Sequence, residues 1–338
     1  MRKQQLKKER LQRLKPMLAE LIEAPFDDKD WVFEVKFDGY RALAALDGKG
    51  NVDLYSRNFI SFNRRFGQIT KELSKIRHQA LLDGEVVIED KKGVSSFQLL
   101  QNYRHTRQGS LKYYVFDLLH LDGNSTRDLP LKDRKELLVL LLEKSKTTNI
   151  LYSGHIEANG KKFYKLARKR KLEGIMAKDA ASIYHPDKRS DNWKKIKITL
   201  EQEAVIAGIT EPHGARKHFG SLILGAYHNG KLEYIGNAGT GFSESALKEL
   251  YQKFNKYFSS INPFNKLIKT KGGIQWMKPH FVCEVKFSEW TNDLHMRHPV
   301  YLGLREDKKA SEVVPEAPKG KIWKRKLSKK TAMLKSEG

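Results

Sequence analysis

Residues 31–46, WVFEVKFDGYRALAAL, place a lysine and an aspartate inside an otherwise mostly apolar stretch. Apolar residues lie on both sides of Lys36, and the pair Asp38-Gly39 interrupts the pattern before it resumes at Tyr40. Asp-Gly is a frequent turn sequence, because glycine adopts backbone conformations that other residues avoid. The stretch therefore predicts a strand, a tight turn and a second strand, with Lys36 close to the turn.

The lysine in this stretch is a candidate nucleophile. An amine attacks phosphorus only after it has lost its proton. Burial disfavours the ammonium form, and the apolar neighbours are Trp31, Phe33, Val35 and Phe37. A nearby cation such as Arg41 acts in the same direction, so we predict a lowered pKa for Lys36. The alternative is a surface lysine on a strand edge, because Lys-x-Asp-Gly alone is common by chance.

Charge is the strongest signal in the composition. The 338 residues include 64 Lys and Arg against 40 Asp and Glu, a net charge of +24, and the basic residues extend over the whole length. Such a surface attracts polyanions, and nucleic acid is favoured over an acidic membrane because the sequence has no clear interfacial helix. A chain of this length and 39% hydrophobic content suggests two domains with real cores.

Several classes of protein are disfavoured by what the sequence lacks. Cys283 is the single cysteine, which excludes an internal disulfide and a multi-cysteine zinc site and fits a reducing cytoplasm. No apolar run has the length of a membrane span, and the basic N-terminus has no apolar core of a secretory signal. There is no Walker-type phosphate loop and no metal-binding histidine spacing.

Changes in composition and residue pattern along the sequence predict four segments. Residues 1–15 are expected to be a basic helical extension or an expression remnant. Residues 16–199 mix strands and helices, whereas residues 200–310 contain short strands and one helix at about 243–258, a pattern typical of an OB-fold barrel. Residues 311–338 are basic, rich in proline, lysine and serine, and expected to be disordered.

Two motifs in the second half invite a functional interpretation that we do not favour. The glycine-rich GNAGTGF, residues 236–242, joins a strand to the helix and is interpreted as turn chemistry instead of a phosphate cradle. The sequence CEVKF, residues 283–287, resembles FEVKF at 33–37 but lacks the following Asp-Gly, so Lys286 is predicted to be an outward-facing strand lysine.

Further motifs follow Lys36 in a characteristic order. Taken singly, each has an ordinary explanation as a turn, a core aromatic or a solvated charge, but their order and separations are not plausible by chance. They are SRN (56–58), LDGE (82–85), FDLLHLDG (116–123), EGIMAK (173–178), WKKIK (193–197) and LREDK (304–308).

This set resembles the covalent nucleotidyltransferases, most closely the ATP-dependent DNA ligases and, among them, the ligase domain of bacterial and archaeal end-joining ligases. The resemblance covers about residues 15–310 and includes GTGFS, EVKFSEWT and RHPVYLGLREDK in the second half. It implies an α+β fold: a nucleotidyltransferase (adenylation) domain with antiparallel sheets and helices, followed by an all-β OB-fold domain.

The resemblance implies a three-step reaction. Lys36 attacks the α-phosphate of ATP and expels pyrophosphate, which leaves a lysyl-AMP phosphoramide. The AMP passes to a 5′-phosphate at a DNA nick, and the 3′-hydroxyl then attacks that phosphate and releases AMP. Each step is an in-line displacement at phosphorus, so positioning and charge neutralisation supply most of the catalysis.

The resemblance also assigns roles to individual residues. Phe116 stacks on adenine, with Ile175 or Met176 on the other face, and Glu34 meets the adenine edge partly through its backbone. Arg41 and Glu85 are expected at the ribose and nearby phosphates. Arg57 is expected to bind a phosphate, the 5′-phosphate of the nick. Lys195 and Lys197 are expected to bind the α-phosphate, and Glu173 and Glu85 to hold Mg²⁺ or Mn²⁺. Pyrophosphate is expected to contact Arg305, Asp307 and Lys308.

The last three residues are expected in the second domain, so that they act only when it closes over ATP and then swings away. The implied partners are nicked or broken duplex DNA, a Ku-type end-binding protein and a repair polymerase, for a monomeric enzyme in the cytoplasm at the nucleoid. With no room for a separate DNA-binding domain, the two domains must hold DNA themselves. The sequence fits both a standalone enzyme and a domain excised from a longer protein.

Three alternatives stay open on the residues alone. Within the same superfamily the chain would be an RNA ligase or a capping guanylyltransferase, and the match in the second half argues against both. A different class is a non-catalytic, OB-containing DNA-binding protein with a dead nucleotide site. Covalent label from GTP alone would favour capping and no label the DNA-binding protein, whereas sealing of nicked DNA or nicked RNA distinguishes the two kinds of ligase.

Overall fold

The protein was analysed as a computed structural model, which describes residues 6–212, 214, 217–270 and 272–316. The side chains of residues 104 and 105 are not described. The chain forms two compact units. The first runs up to Thr199 and includes the later segment Leu302–Lys308, and the second comprises Leu200–Tyr301 and the residues from Lys309 onward. No described helix is both long and apolar enough to cross a membrane.

The first unit contains two sheets and four helices among its described residues. Its helices are α1 (Gly67–Leu73), α2 (Phe97–Thr106), α3 (Leu131–Ser145) and α4 (Gly160–Lys169). Its strands are β1 (Lys7–Lys8), β2 (Leu18–Leu21), β3 (Asp28–Lys36), β4 (Tyr40–Asp47), β5 (Val52–Ser56), β6 (Gln79–Glu89), β7 (Ser110–Leu121), β8 (Asn124–Ser125), β9 (Ile150–Tyr152), β10 (His155–Ala158), β11 (Gly174–Asp179) and β12 (Arg189–Lys197).

These elements form four layers. The first sheet has the order β1-β8-β7-β6-β4-β5, with β9 beside β7, and the second has the order β10-β3-β11-β12-β2. Along β4, side chains alternate as a strand requires: Tyr40 and Ala42 pack in a core with residues of α1, α2 and α3, whereas Leu43 packs with Trp193 of β12 between the two sheets. Helix α4 covers the far face of the second sheet.

The approach of α4 to that sheet depends on a glycine. A Cβ atom on Gly160 would lie 2.2 Å from the carbonyl oxygen of Phe26 and 2.3 Å from a ring carbon of Phe33. No side chain fits in that space without moving the helix.

We expect Gly160→Ala to lower the free energy of unfolding by about 1–3 kcal/mol, because the added methyl group overpacks the core under α4. Gly67 is the matched control, since it also is the first residue of a helix but has no atom within 4 Å of an added Cβ. Urea unfolding of both variants checks this. Equal stability of the two variants would contradict the close approach at Gly160.

The second unit is mainly β-sheet. Its helix is α5 (Glu244–Phe254), followed by a 3₁₀ turn at Asn255–Tyr257. Its strands are β13 (Leu200–Thr210), β14 (Leu222–His228), β15 (Lys231–Ala238), β16 (Phe258–Ser259), β17 (Ile274–Met277), β18 (Val282–Phe287), β19 (Glu289–Trp290), β20 (Met296–Arg297) and β21 (Val300–Leu304), the last three residues of which belong to the first unit.

The main sheet of this unit has the order β15-β14-β13-β17-β16, and β18 pairs with both β13 and β21. The hairpin between β14 and β15 turns at Asn229 and Gly230, with φ values of +49° and +74°, as a type I′ turn requires. Of the glycine-rich stretch 236–242, residues 236–238 end β15 and residues 239–242 connect it to α5; a Cβ on Gly241 would lie 2.1 Å from the Tyr301 carbonyl oxygen. Lys286 is exposed, as predicted.

The two ends of the described chain differ from the sequence-based prediction. Residues 6–15 form no helix: β1 pairs with β8, and Arg13 makes a bidentate ion pair with Asp53, with distances of 2.5 and 2.7 Å. At the other end residues 311–316 are ordered, because Val313 is fully buried and Gln202 donates to the Val314 carbonyl at 3.0 Å. The rest of the expected tail, residues 317–338, lies outside the described residues.

Candidate active site

Strand register brings distant candidate residues into two rows on the second sheet. Strand β11 lies between β3 and β12, and Gly174 is opposite Lys36 on one side and Lys197 on the other. Two residues along, Met176 is opposite Glu34 and Lys195. Positions two apart in a strand point to the same face. The five side chains of these rows therefore share the face that is turned away from α4.

The opposite face of the same strands is apolar. Phe33, Ile175 and Ile196 form a buried cluster with Ala167 of α4. Ile175 is therefore on the wrong face to meet the same ligand as Lys36, which corrects its candidacy for the adenine site. Of the two residues considered, Met176 is the one on the candidate-site face. Because charged and apolar residues alternate along β3, β11 and β12, the candidate-site residues lie on one face of the sheet and the buried apolar residues on the other.

Lys36 forms an ion pair with Glu173, its Nζ contacting Oε1. Burial by itself lowers the pKa of Lys36, but the Glu173 carboxylate outweighs it, and the net pKa lies above the ordinary lysine value. Lys197 opposes this shift and Glu85 adds to it. The predicted lowering of the Lys36 pKa is therefore wrong for this state, because the carboxylate partner lies 137 residues away and no local pattern indicates it.

Acidic groups are concentrated around the lysine. Burial raises the pKa of Glu85 to about 8, against the opposing charges of Lys36, Arg41 and Arg305. Burial also raises the pKa of Asp38 to about 6, and the charge of Glu173 adds to the effect. Three carboxyl groups, those of Glu173, Glu85 and Asp38, thus share a partly buried region, and burial favours the neutral form of Glu85 and Asp38.

The turn after Lys36 is fixed by contacts on both sides. The Asp38 carboxylate accepts a hydrogen bond from the Phe97 backbone N–H at 2.8 Å, and the Asp38 N–H donates to Ser95 Oγ at 3.0 Å. A Cβ on Gly39 would lie 2.3 Å from the Val86 carbonyl oxygen. Glycine is thus required here by the close approach of the Val86 backbone, and the turn joins β3 and β4, which lie in different sheets.

Arg41 and Phe116 of the first sheet face the second sheet. The Arg41 guanidinium makes a bidentate ion pair with Asp83, with distances of 3.0 and 2.6 Å. It also lies over the rings of Phe116 and Trp193, 5.4 and 5.7 Å from their centroids. Arg41 is therefore held rigidly at the position where the two sheets meet, and the buried Asp83 that orients it was not among the candidate residues.

Glu34 is engaged in a buried network that the sequence analysis missed. Its carboxylate accepts from Lys178 Nζ at 2.9 Å and forms an ion pair with Lys135 Nζ at 2.8 Å, and all three side chains are at most 3% exposed. Lys178 also lies 4.3 Å from the ring centroid of Phe116. Burial lowers the pKa of Lys178 to about 8. The Glu34 carboxylate is thus engaged by two lysines, and the expectation that Glu34 meets the adenine edge partly through its backbone stays a prediction.

We expect Glu34→Gln to lower the free energy of unfolding by about 3–5 kcal/mol, because it leaves two buried ammonium groups without a counter-charge. The exposed Glu23→Gln is the matched control and should change stability little. Urea unfolding measures both. A loss below 1 kcal/mol in Glu34→Gln would mean that the two lysines find other compensation.

The segment Leu302–Lys308 belongs to the first unit, which corrects its expected place in the second. The Leu304 carbonyl accepts from Gln101 Nε2 at 2.9 Å and from Tyr40 Oη at 3.3 Å. Glu306 pairs with Arg65 at 2.8 Å. These polar contacts are made to residues far back in the sequence, so the strand β21 carries the chain from one unit into the other.

Within this segment Arg305 and Asp307 form a bidentate ion pair, with both distances 2.9 Å. The Asp307 carboxylate is 3% exposed; burial alone would raise its pKa, but Arg305 outweighs burial and holds the pKa below the ordinary value. The Arg305 guanidinium lies over the rings of Tyr40 and Phe97, 5.4 and 5.0 Å from their centroids. Lys308 follows directly and is partly exposed.

Arg57 lies in the turn after β5, next to this segment. Asn58 donates from its side chain to the Asp307 carbonyl at 2.9 Å, and the buried Ser56 hydroxyl accepts the Ile60 N–H at 3.2 Å. The structure thus brings the turn at residues 56–58 and the segment Leu302–Lys308 together. It also brings Lys36, Glu173 and Glu85 together.

Comparison with known proteins places this geometry in a family. Residues 16–197 match the family model of the ATP dependent DNA ligase domain, and residues 215–308 match that of the ATP dependent DNA ligase C terminal region. The multifunctional non-homologous end joining protein LigD of Pseudomonas aeruginosa is 36% identical over 312 residues, which cover 90% of this chain and 37% of that protein. A DNA ligase of Thermococcus fumicolans is 30% identical over 328 residues, 88% of this chain and 57% of that one.

A solved structure described as mycobacterial DNA ligase D complexed with ATP and MES is 34% identical, with a TM-score of 0.67, and covers 90% of this chain and 98% of that one. The chain spans about two fifths of the length of the LigD relatives that it matches. The architecture is the nucleotidyltransferase-type ligase fold, with mixed sheets and few helices. The two family models together cover most of the sequence, and on this basis the chain belongs to the ATP-dependent DNA ligase family.

Proposed function

We propose that this chain is an ATP-dependent DNA ligase that joins a 3′-hydroxyl to a 5′-phosphate through lysyl-AMP and DNA-adenylate intermediates. The observation that carries the proposal is the placement of Lys36 on one sheet face with Lys195 and Lys197, in contact with Glu173. A nucleophile at phosphorus needs cations for the transferred group and a group that accepts its proton. This arrangement supplies both kinds of group.

In the first step Lys36 Nζ attacks the α-phosphate of ATP and pyrophosphate leaves. The Glu173 carboxylate is the group in contact with Nζ and is placed to take its proton. Lys195 and Lys197 neutralise charge on the α-phosphate. In the free protein, pairing with Glu173 raises the pKa of Lys36.

The nucleotide base occupies the space between the two sheets of the first unit. Phe116 stacks on adenine, and Met176 contacts its other face. Glu34 acts through its backbone, since its carboxylate is held by Lys135 and Lys178. Arg41 and Glu85 contact the ribose and nearby phosphates.

The carboxyl groups fit a divalent cation. Glu173 and Glu85 are hard oxygen donors, and burial raises the pKa of Glu85 to about 8, so a cation at this site would favour its ionised form. These two residues would hold Mg²⁺ or Mn²⁺, which when bound supplies charge neutralisation at the phosphates.

The residues Arg305, Asp307 and Lys308 orient pyrophosphate in the first step, and Arg57 binds the 5′-phosphate of the nick. Asp307 acts by fixing the Arg305 guanidinium through their bidentate pair. We propose that the second unit is an OB-fold domain that contributes basic surface to DNA binding. The segment Leu302–Lys308 leaves the first unit after the first step.

The biological setting follows from the relatives. The LigD relatives are named for non-homologous end joining, and we propose the same role here, with broken duplex DNA as substrate, a Ku-type protein and a repair polymerase as partners, and the nucleoid as the place of action.

The proposal is tested by incubating the full chain with radiolabelled ATP and either metal ion, and then with nicked DNA, nicked RNA and blunt ends. We expect protein-bound label from ATP, none from GTP, and sealing of the DNA nick. Label from GTP alone would support capping, sealing of RNA alone would support an RNA ligase, and DNA binding without label would leave only a DNA-binding protein.

A further inference from the structure

Helix α4 carries an unusually dense positive charge on its outer side. Its inner side is formed by Gly160, Phe163, Tyr164 and Ala167, with the spacing that buries one face of a helix. The other positions of α4, which are exposed, and the two residues after its end form what we call the α4 surface; its seven cations are Lys161, Lys162, Lys165, Arg168 and Lys169 in α4 and Arg170 and Lys171 after it.

This charge has almost no internal compensation. Among the residues that the structure describes, only Lys161 of the α4 surface has an acidic partner within 4 Å, Asp27 at 3.9 Å. Like charges one helical turn apart, such as Lys161 with Lys165 and Lys165 with Lys169, destabilise a helix. The helix holds these cations at the expense of its own stability, which points to a polyanionic partner.

The composition of the α4 surface favours nucleic acid over an acidic protein. Protein interfaces are depleted in lysine and built around apolar or aromatic anchors. In the described part of α4, Leu166 is the only large apolar side chain that is exposed, at 45%, and no aromatic one is. A row of point charges without an anchor instead matches the phosphates of duplex DNA, which are bound by charge and counterion release.

The position of this surface separates it from the site around Lys36. Helix α4 packs on Phe33, Ile175 and Ile196, and Lys36 lies on the other face of the same sheet. Duplex DNA is stiff over roughly 150 base pairs, so a short nicked duplex held at the Lys36 face does not bend round to α4.

We propose that the α4 surface binds the phosphate backbone of a second stretch of duplex DNA, distinct from the one whose nick is sealed. The proposal rests on the proposed ligase function and extends it: one chain would hold two duplex segments at once. Such an arrangement raises the local concentration of one DNA end near another, which joining of separate ends requires and sealing of a nick does not.

The test compares two full-length variants with the same charge change. The first, Lys162→Gln, Lys165→Gln, Arg168→Gln and Lys169→Gln, neutralises the α4 surface. The second replaces four exposed cations on other elements of the first unit, Lys71, Arg77, Lys144 and Lys146, with glutamine. A gel mobility shift assay in which a fixed amount of protein, above the dissociation constant, is titrated with rising amounts of a short duplex counts the duplexes bound per chain.

We expect the wild type and the scattered variant to bind two duplexes per chain and the α4 variant to bind one. For the second duplex, the logarithm of the binding constant falls with the logarithm of the salt concentration by about 0.9 per phosphate contact. Loss of four contacts therefore lowers the magnitude of this slope by about 3 to 4. Joining of separate cohesive ends should fall about tenfold or more, while sealing of a short nicked duplex and AMP labelling stay unchanged.

Two results would overturn the proposal: equal stoichiometry and end joining in both variants, or an equal loss of nick sealing and end joining in the α4 variant. A wild type that binds two duplexes but seals nothing would instead reject the ligase function, because the stoichiometry is measured without catalysis.

Discussion

Lys36→Ala should abolish the transfer of AMP from ATP to the protein. We propose that Lys36 carries the amine on which the nitrogen–phosphorus bond forms; Lys195 and Lys197 lie two strands away in the same sheet, and we propose that they bind the phosphate and do not replace it. A loss of at least about 10⁴-fold is expected, since removal of a nucleophile leaves only the binding contribution to catalysis. Mass spectrometry of the intact protein after incubation with ATP and a divalent cation measures it.

The chain supplies its own matched control. Lys286 occupies the same local sequence, EVKF, on β18, but it is exposed and has no Asp-Gly after it. Lys286→Ala should be labelled like the wild type. Binding of Lys36→Ala to a nick in low salt should largely survive, because that binding depends on many dispersed cations. An adenylyl mass on Lys36→Ala would show that another residue is the nucleophile.

Lys308→Ala should slow AMP labelling about 100-fold and leave sealing of a nick that already carries AMP nearly unchanged. Lys308 follows the Arg305–Asp307 pair in the segment Leu302–Lys308, which we assign to pyrophosphate. Removal of one positioned charge at a leaving group costs about 10²–10³ in rate. Pyrophosphate is absent from the later steps, so only the first step should respond.

Single-turnover rates of labelling and of sealing a pre-adenylated nick separate the two effects. Lys309→Ala is the control, because Lys309 is adjacent and exposed but belongs to the second unit. Equal loss in both steps for Lys308→Ala would reject a role confined to the first step.

Local patterns in the sequence were enough for much of the fold. The strands on both sides of Asp38-Gly39 lie where the apolar alternation places them, and α3 follows the leucine periodicity of LKDRKELLVLLLEKS. The exposed Lys286 was distinguished from Lys36 by the residues that follow each. Such features depend on neighbours within a few positions, which a sequence displays directly.

Features that depend on distant partners were missed. Glu34 meets Lys178 across 144 positions, and nothing in EGIMAK shows that its lysine is buried against Phe116. The same holds for the Lys36 pKa, which the distant Glu173 reverses. Helix α2 went unrecognised because its sequence is polar; the Ser96 hydroxyl caps it by accepting the Leu99 N–H at 3.3 Å.

Because Leu302–Lys308 belongs to the first unit, the polypeptide passes between the two units three times. Cutting the chain at one position therefore cannot give both units complete. A fragment ending at Thr199 would lack the strand end whose Leu304 carbonyl satisfies Tyr40 and Gln101. Either unit produced alone should therefore include all of its segments. If a continuous fragment fails to fold, the reason would be that the unit is incomplete and not that the complete unit is unstable.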